Sequence, residues 1–228
     1  MQGVCIIPAR GGSKRLPRKN IAEFLGRPIL AHTVEAALQS GVFSRVVVST
    51  DDSEIAQIAQ HAGAEVHERT STLASDSARL IDVCVDFLAE EERAGRDWDF
   101  FGCLLATAPM RTAEDIRRAH ALIEPGMCEF AMAVTTYPLP PLQALTTTEY
   151  GFLRPMWPEL IELRSQEAPA LFVDNGSTYL ALVSAFRKER TFYGSRMRGH
   201  VMPRERSIDI DEPYDLELAR MLATRARR

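Results

Sequence analysis

Residues 45–50, RVVVST, form a continuous and mostly β-branched run with no clean apolar–polar alternation. A strand with one wet face alternates; a strand covered on both faces does not, and that is the habit of parallel sheets. Similar strand-type runs occur at 4–8 (VCIIP), 99–106 (DFFGCLLA) and 130–136 (FAMAVTT), with a shorter candidate at 64–67. Helical spacing fills the gaps. Pro28 opens a helix carrying Ile29, Leu30, Val34, Ala37 and Leu38, and Gly41 ends it. Ile55, Ile58, Ala59 and Ala62 share one stripe of residues 53–62, and Val83 and Phe87 one face of 78–92. Thr112 with Asp115 makes a capping box for a helix expected to run to about Glu124. Strands are expected again at 176–183 and 199–202, and a last helix at 212–224 with Pro213 in its first turn. Strands alternating with helices across short Gly-marked connections predict an α/β fold on a mostly parallel sheet.

The most unusual stretch is IIPARGGSKRLPRKN, residues 6–20. It follows the first strand, where open α/β sheets bind ligands. Gly11 and Gly12 permit close backbone approach, and their amides with that of Ser13 can cradle an anion. Of the loop's five cations, Arg10, Lys14, Arg15 and Lys19 supply the charge, with Arg18 between them, and a triphosphate is the natural match. The loop is neither a Walker A sequence nor G-x-G-x-x-G, and a solvated basic loop is the plain alternative. The whole chain carries a net charge of −4, so the basic loop is local, and bulk nucleic-acid binding is not expected.

RSIDIDEPYD, near the C-terminus, places Asp209 and Asp211 two residues apart. On a strand both carboxylates face the same way, and beside a triphosphate such a pair suits Mg²⁺. Asp211 as a helix cap is an equal alternative. Asp51 and Asp52, between a strand and a helix, read as caps. The five histidines are scattered without metal-ligand spacing. Cys5, Cys84, Cys103 and Cys128 sit apart in apolar surroundings and read as reduced core residues. With no signal-peptide pattern and no membrane-length apolar run, a cytoplasmic enzyme without a membrane partner is expected. Residues 137–173 hold six prolines, Tyr150 and Trp157, and no long periodic segment; so long a loop is functional or an interface.

Taken together, IIPARGGSKRLPRKN, VVVSTDD, LASD, DNGSTY and RSIDIDEPYDLELA resemble the CMP-nonulosonate synthetases, the acylneuraminate cytidylyltransferase family, over residues 4–222. The resemblance implies a single nucleotidyltransferase domain over 1–228. Its sheet would be Rossmann-like with helices on both faces, and 137–173 would be an inserted dimerisation arm that completes a partner's sugar site. It implies that CMP passes from CTP to the anomeric hydroxyl of a nine-carbon α-keto acid sugar, with Mg²⁺ as cofactor and pyrophosphate as leaving group. It further implies that Arg10, Gly11, Ser13, Arg15 and Lys19 hold phosphates and that Asn20 and Arg69 lie at the nucleoside end. By the same resemblance Asp209 and Asp211 would hold the metal, with Arg10, Lys19 and Asp211 as the catalytic set, and Arg164, Gln166, Asp174 and Tyr179 would contact the sugar.

LLATAPMR lacks the glutamine usual in sialic-acid members, and ATAP and RSQE are similar to the pseudaminic branch; DNGSTY mixes both branches. A pseudaminic-type sugar is therefore favoured, with sialic and legionaminic acids as alternatives. Its 9-deoxy end calls for an apolar surface, for which Leu171, Phe172 and Phe192 are candidates. Leu80 stands where members often have serine or threonine. Remoter alternatives are a D-x-D glycosyltransferase and a nucleotide-binding protein without turnover.

Overall fold

The computed structural model describes residues 1–70, 72–74, 78–138, 141–163 and 168–225. The strands in chain order are β1 (Gly3–Pro8), β2 (Glu23–Phe24), β3 (Arg27–Pro28), β4 (Arg45–Thr50), β5 (Glu65–Glu68), β6 (Phe100–Leu104), β7 (Phe130–Thr136), β8 (Leu145–Thr147), β9 (Leu153–Pro155), β10 (Phe172–Leu182) and β11 (Met197–Val201). The helices are α1 (Ile29–Ser40), α2 (Ser53–His61), α3 (Leu80–Arg93), α4 (Ala113–His120), α5 (Val183–Glu189) and α6 (Pro213–Arg225). Seven strands form one sheet in the order β11-β7-β10-β6-β1-β4-β5, while β2–β3 and β8–β9 are separate hairpins. Within the large sheet only β10 runs antiparallel to its neighbours, β6 and β7.

The continuous apolar runs are buried on both sides, as their composition requires. Val4 and Ile6 of β1 face Phe87 of α3 and Phe186 of α5. Cys5 and Ile7 face the opposite layer, with Leu30 and Val34 of α1 and Ile55 of α2. All four cysteines are free and buried, and burial raises the thiol pKa values of Cys5 and Cys84. None of the described helices is long and apolar enough to cross a membrane.

Helix ends follow the local chemistry. Gly41 closes α1 at φ 65°, donating its N–H to Leu38. Asp52 caps α2 by accepting from Glu54 and Ile55, and Thr112 and Asp115 form the expected capping box. Two extents differ from the sequence expectation by a full four residues. Helix α4 stops at His120, because Glu124 turns to form a β-bridge with Cys128. Strand β10 begins at Phe172 rather than Gly176. The DNG tripeptide is an irregularity inside a strand that pairs with β7 before and after it.

Candidate active site

The chain passes from β1 to β4 and β5 on one side of the sheet, then crosses to β6 on the other. The crevice at this reversal is where open α/β sheets hold ligands. A cleft of about 530 Å³ lies there. The loop after β1 contributes Arg10, Ser13, Arg15, Lys19 and Asn20; Arg69 follows β5; Leu105, Ala106 and Thr107 follow β6; Asp211 closes one side.

Much of the loop's polarity is spent on holding its own shape. Asn20, buried, donates from Nδ2 to the Arg10 carbonyl at 2.9 Å. Arg18, at φ 55°, turns away to Asp52 at 2.9 Å and Glu54 at 2.5 Å. The Gly11 N–H donates to Asp51 at 3.1 Å, and the Ser13 N–H to the Gly11 carbonyl at 3.1 Å. Two of the three amides expected to cradle an anion are thus engaged within the protein. The acids at the end of β4 sit close enough to take the first of them. The same closeness explains Gly11, since a Cβ there would stand 2.6 Å from Asp52 Oδ2. Gly12 has no such neighbour within 4 Å.

Arg69 is buried, donating to Ser49 Oγ at 3.3 Å and to the Ser49 carbonyl at 2.7 Å. Burial lowers its pKa, with Asp51 opposing the shift. Fixed this way, it borders the cleft, to which Leu73, Ala78, Leu80 and Val83 add apolar lining.

The two carboxylates are not on a strand. Residues 207–211 are irregular, tied down by Ile210 N–H to the Thr107 carbonyl at 2.9 Å. Ile210 is fully buried with Phe24, Ile29 and Leu216, which holds Asp209 and Asp211 on either side of it. Ile208 and Ile210 pack inward beside the acids without pairing in the sheet, so the alternation misled. Nor is Asp211 the helix cap: Asp215 accepts from the N–H groups of Asp211 at 3.0 Å and Glu212 at 2.9 Å.

The environments of the pair differ. Asp211 Oδ1 accepts from Lys19 Nζ at 2.6 Å and Oδ2 from Arg15 Nη2 at 2.5 Å. Burial opposes its charge, but Lys19 and Arg15 outweigh it and hold the carboxyl below its ordinary range. Asp209 is pushed the other way, chiefly by burial and further by the charge on Asp211. Its Oδ1 is buried with no hydrogen-bond partner among the described residues.

A second cleft, of about 1060 Å³, opens beyond Asp209. Asp174, Asn175, Gly176, Tyr179, Tyr193 and Arg204 border it, with Val173, Ile208, Leu218 and Leu222 as apolar wall. Leu105 borders both clefts. Gly176 sits at φ 65°, where a Cβ would lie 2.7 Å from Asp209 Oδ2, so only glycine lets β10 pass this carboxylate. Asp174 Oδ2 accepts from Tyr179 at 2.8 Å and Tyr193 at 2.7 Å, while Oδ1 accepts from the Gly176 N–H at 2.9 Å. The bond to Asp174 pushes the Tyr193 hydroxyl up to about 12; burial, with Asp174 adding, raises that of Tyr179.

Of the residues singled out from sequence, Arg10, Ser13, Arg15, Lys19, Asn20, Arg69 and Asp211 border the first cleft. Asp174, Tyr179 and Asp209 border the second. Arg164 and Gln166 lie outside the described residues. The apolar candidates are corrected. Phe192 stacks in the core against Tyr179 and Phe186, and Leu171 and Phe172 are exposed and border neither cleft.

Sequence reasoning missed Arg111, whose only signal was a lone arginine behind the apolar ATAPM. It is buried, donating to Thr33 Oγ1 at 2.9 Å, to the Leu105 carbonyl at 3.2 Å and to the Ser177 carbonyl. Burial lowers its pKa to about 10. It fixes the loop that both clefts share. Also missed was the approach of His67, Asp86 and Glu90, where His67 meets Glu90 at 2.8 Å and Ser49 at 3.0 Å away from both clefts.

A basic loop at the reversal of a mostly parallel α/β sheet, with an acidic pair between two clefts, defines a nucleotide-handling enzyme of the nucleotidyltransferase type. The chain belongs to the cytidylyltransferase family, whose model matches residues 4–138. It is 34% identical to a pseudaminic acid cytidylyltransferase of Campylobacter jejuni, covering 97% of this chain and 96% of that one. It is also 34% identical to a CMP-N,N'-diacetyllegionaminic acid synthase of Legionella pneumophila, over 97% of this chain and 96% of the relative. An N-acylneuraminate cytidylyltransferase of Streptococcus agalactiae matches at 30% over 94% of this chain and 52% of its own length. Among solved structures, CMP:2-keto-3-deoxy-manno-octonic acid synthetase complexed with CTP shares the fold, with a TM-score of 0.73 at 19% identity, over 99% of this chain and all of that one.

Proposed function

We propose that the protein transfers CMP from CTP to the anomeric hydroxyl of a nonulosonic acid, with a pseudaminic-type acid favoured. The observation that carries this reading is the meeting of two clefts at Asp209 and Asp211, one basic and the other larger and mainly apolar. The names of the full-length relatives from Campylobacter support the choice of sugar.

CTP lies with its triphosphate along Arg10, Ser13, Arg15 and Lys19 and its nucleoside toward Asn20 and Arg69. The sugar fills the second cleft, beside Asp174 and Tyr179. Its anomeric oxygen attacks the α-phosphorus in line, a new P–O bond forms, the bond to the β-phosphate oxygen breaks, and pyrophosphate departs. The hydroxyl proton leaves to solvent. Little covalent work falls to the protein, which aligns the reactants and neutralises charge.

Mg²⁺ fits the donor set. Asp209 offers a buried oxygen without a partner, Asp211 stands two residues away, and hard cations bound with triphosphates take one or two carboxylates. When bound, the ion supplies charge neutralisation to the phosphates.

The segment 137–173 is proposed as a homodimerisation arm that brings Arg164 and Gln166 to a second copy's sugar cleft. Supporting this are the β8–β9 hairpin and the large exposed side chains Tyr150, Phe152 and Leu153. An active monomer in sedimentation at micromolar concentration would contradict the arm's role. The use of CTP is consistent with a cytoplasmic site of action.

The test is pyrophosphate release with CTP, Mg²⁺ and a panel of nonulosonic acids. Turnover should be highest for pseudaminic-type acid, lower for N-acetylneuraminic and legionaminic acids, and small for every sugar when UTP replaces CTP. Equal turnover with UTP would overturn the cytidylyl assignment. Preference for N-acetylneuraminic acid would move the sugar and leave the reaction standing.

A further inference from the structure

We infer that Asp211 is a latch that holds the triphosphate-binding cations until nucleotide and metal arrive together. The inference rests on the reading of the loop after β1 as the triphosphate site. Lys19 and Arg15, two cations assigned to phosphate, both donate to Asp211, one to each carboxylate oxygen, at 2.6 and 2.5 Å. The pairs join residues 192 and 196 positions apart, so they tie the N-terminal loop to the C-terminal segment across the cleft. Glu212 lies 3.9 Å from Arg15 and adds a weaker hold on the same cation.

A triphosphate cannot take Lys19 and Arg15 without displacing Asp211. Displaced, Asp211 is left a partly buried carboxylate without its two cations, which is unfavourable. A divalent ion arriving with the nucleotide would remove that cost, because the freed carboxylate could serve as its ligand. Nucleotide and metal therefore favour each other through one side chain, and by linkage the effect is reciprocal. Asp209 makes no hydrogen bond or ion pair with either cation among the described residues; Lys19 reaches it only through space, its hydrogen-bonding side chain is Thr107, and its Oδ1 has no partner, so it lies outside the latch.

The two carboxylates thereby separate a latch from simple charge repulsion. Repulsion acts through space, and neutralising either acid relieves it. A latch is undone only at Asp211. The experiment is calorimetric titration of CTP into the full chain in EDTA at pH 8, comparing wild type, Asp211→Asn and Asp209→Asn. Asp211→Ser serves as a second charge-removing variant should Asp211→Asn misfold.

Metal-free CTP should bind Asp211→Asn about tenfold more tightly than wild type, the scale expected for two charge-assisted contacts that are partly solvent-exposed. Asp209→Asn should stay within about threefold of wild type on that scale. Limited trypsin digestion should cut the loop 10–20 faster in Asp211→Asn than in the other two. Equal tightening in both variants, or none in Asp211→Asn, overturns the latch. If wild type fails to bind CTP even with Mg²⁺, the nucleotide assignment falls, and the latch falls with it; binding with Mg²⁺ but no gain in Asp211→Asn removes the latch alone.

Discussion

Asp211→Asn should lower pyrophosphate release by about 10²–10³-fold, the usual loss when a group that balances charge in the transition state is neutralised. The fold should survive. Ile210, with Ile208 packed beside it, anchors the segment in the apolar interior, and the N–H groups at the start of α6 are held by Asp215 rather than Asp211. The variant thus binds metal-free nucleotide more tightly and turns it over more slowly. Full activity with intact circular dichroism would remove Asp211 from the catalytic set and break the proposed metal site.

Asp115→Ala should cost about 3–5 kcal/mol of stability, the range for removing one partner of a buried ion pair. Asp115 is buried and accepts from Arg206 at 3.0 Å, His200 at 3.1 Å and Thr112 Oγ1 at 2.6 Å. Burial is the largest influence on its carboxyl and opposes ionisation. Arg206, Thr112 and His200 together outweigh it, so the pKa lies well below the ordinary value. A depressed acid stabilises the fold fully above its unfolded pKa of about 3.9, and that contribution fades as pH falls toward the folded value. Urea midpoints at pH 7 and pH 3 should therefore converge between wild type and variant. A constant gap at both values would show that the carboxylate's charge is not what is lost. Arg206 precedes the segment of the two acids, so the same bond fixes where that segment leaves the sheet edge.

Strands were legible wherever burial on both faces forbids alternation, as in Arg45–Thr50, and Phe130–Thr136 falls where expected. Caps were legible because Thr112 and Asp115 act over three residues. What stayed hidden is long-range. Nothing local in Arg18 tells that it meets Asp52 and Glu54, while Arg15, three residues earlier, meets Asp211. Charge can be read from sequence; the partner that spends it cannot. Phe192 shows the same limit for apolar residues. Its type suits a cleft wall as well as a core, and only packing against Phe186 and Tyr179 decides.

The placement of β10 sets an order for biosynthesis. Strand β7 leaves the ribosome before residues 137–171, yet its place in the sheet is beside a strand that comes after them. The earlier strands β1, β4, β5 and β6 can pair among themselves as they emerge. Strand β7, apolar along five of its seven residues, has no seat until β10 arrives, and β11 cannot add before either. For that interval the nascent chain carries an unpaired sticky strand and an open edge at β6, the features that make partly folded chains aggregate. A fragment ending at residue 138 would be frozen in that state, so expressing the N-terminal portion alone should yield insoluble protein.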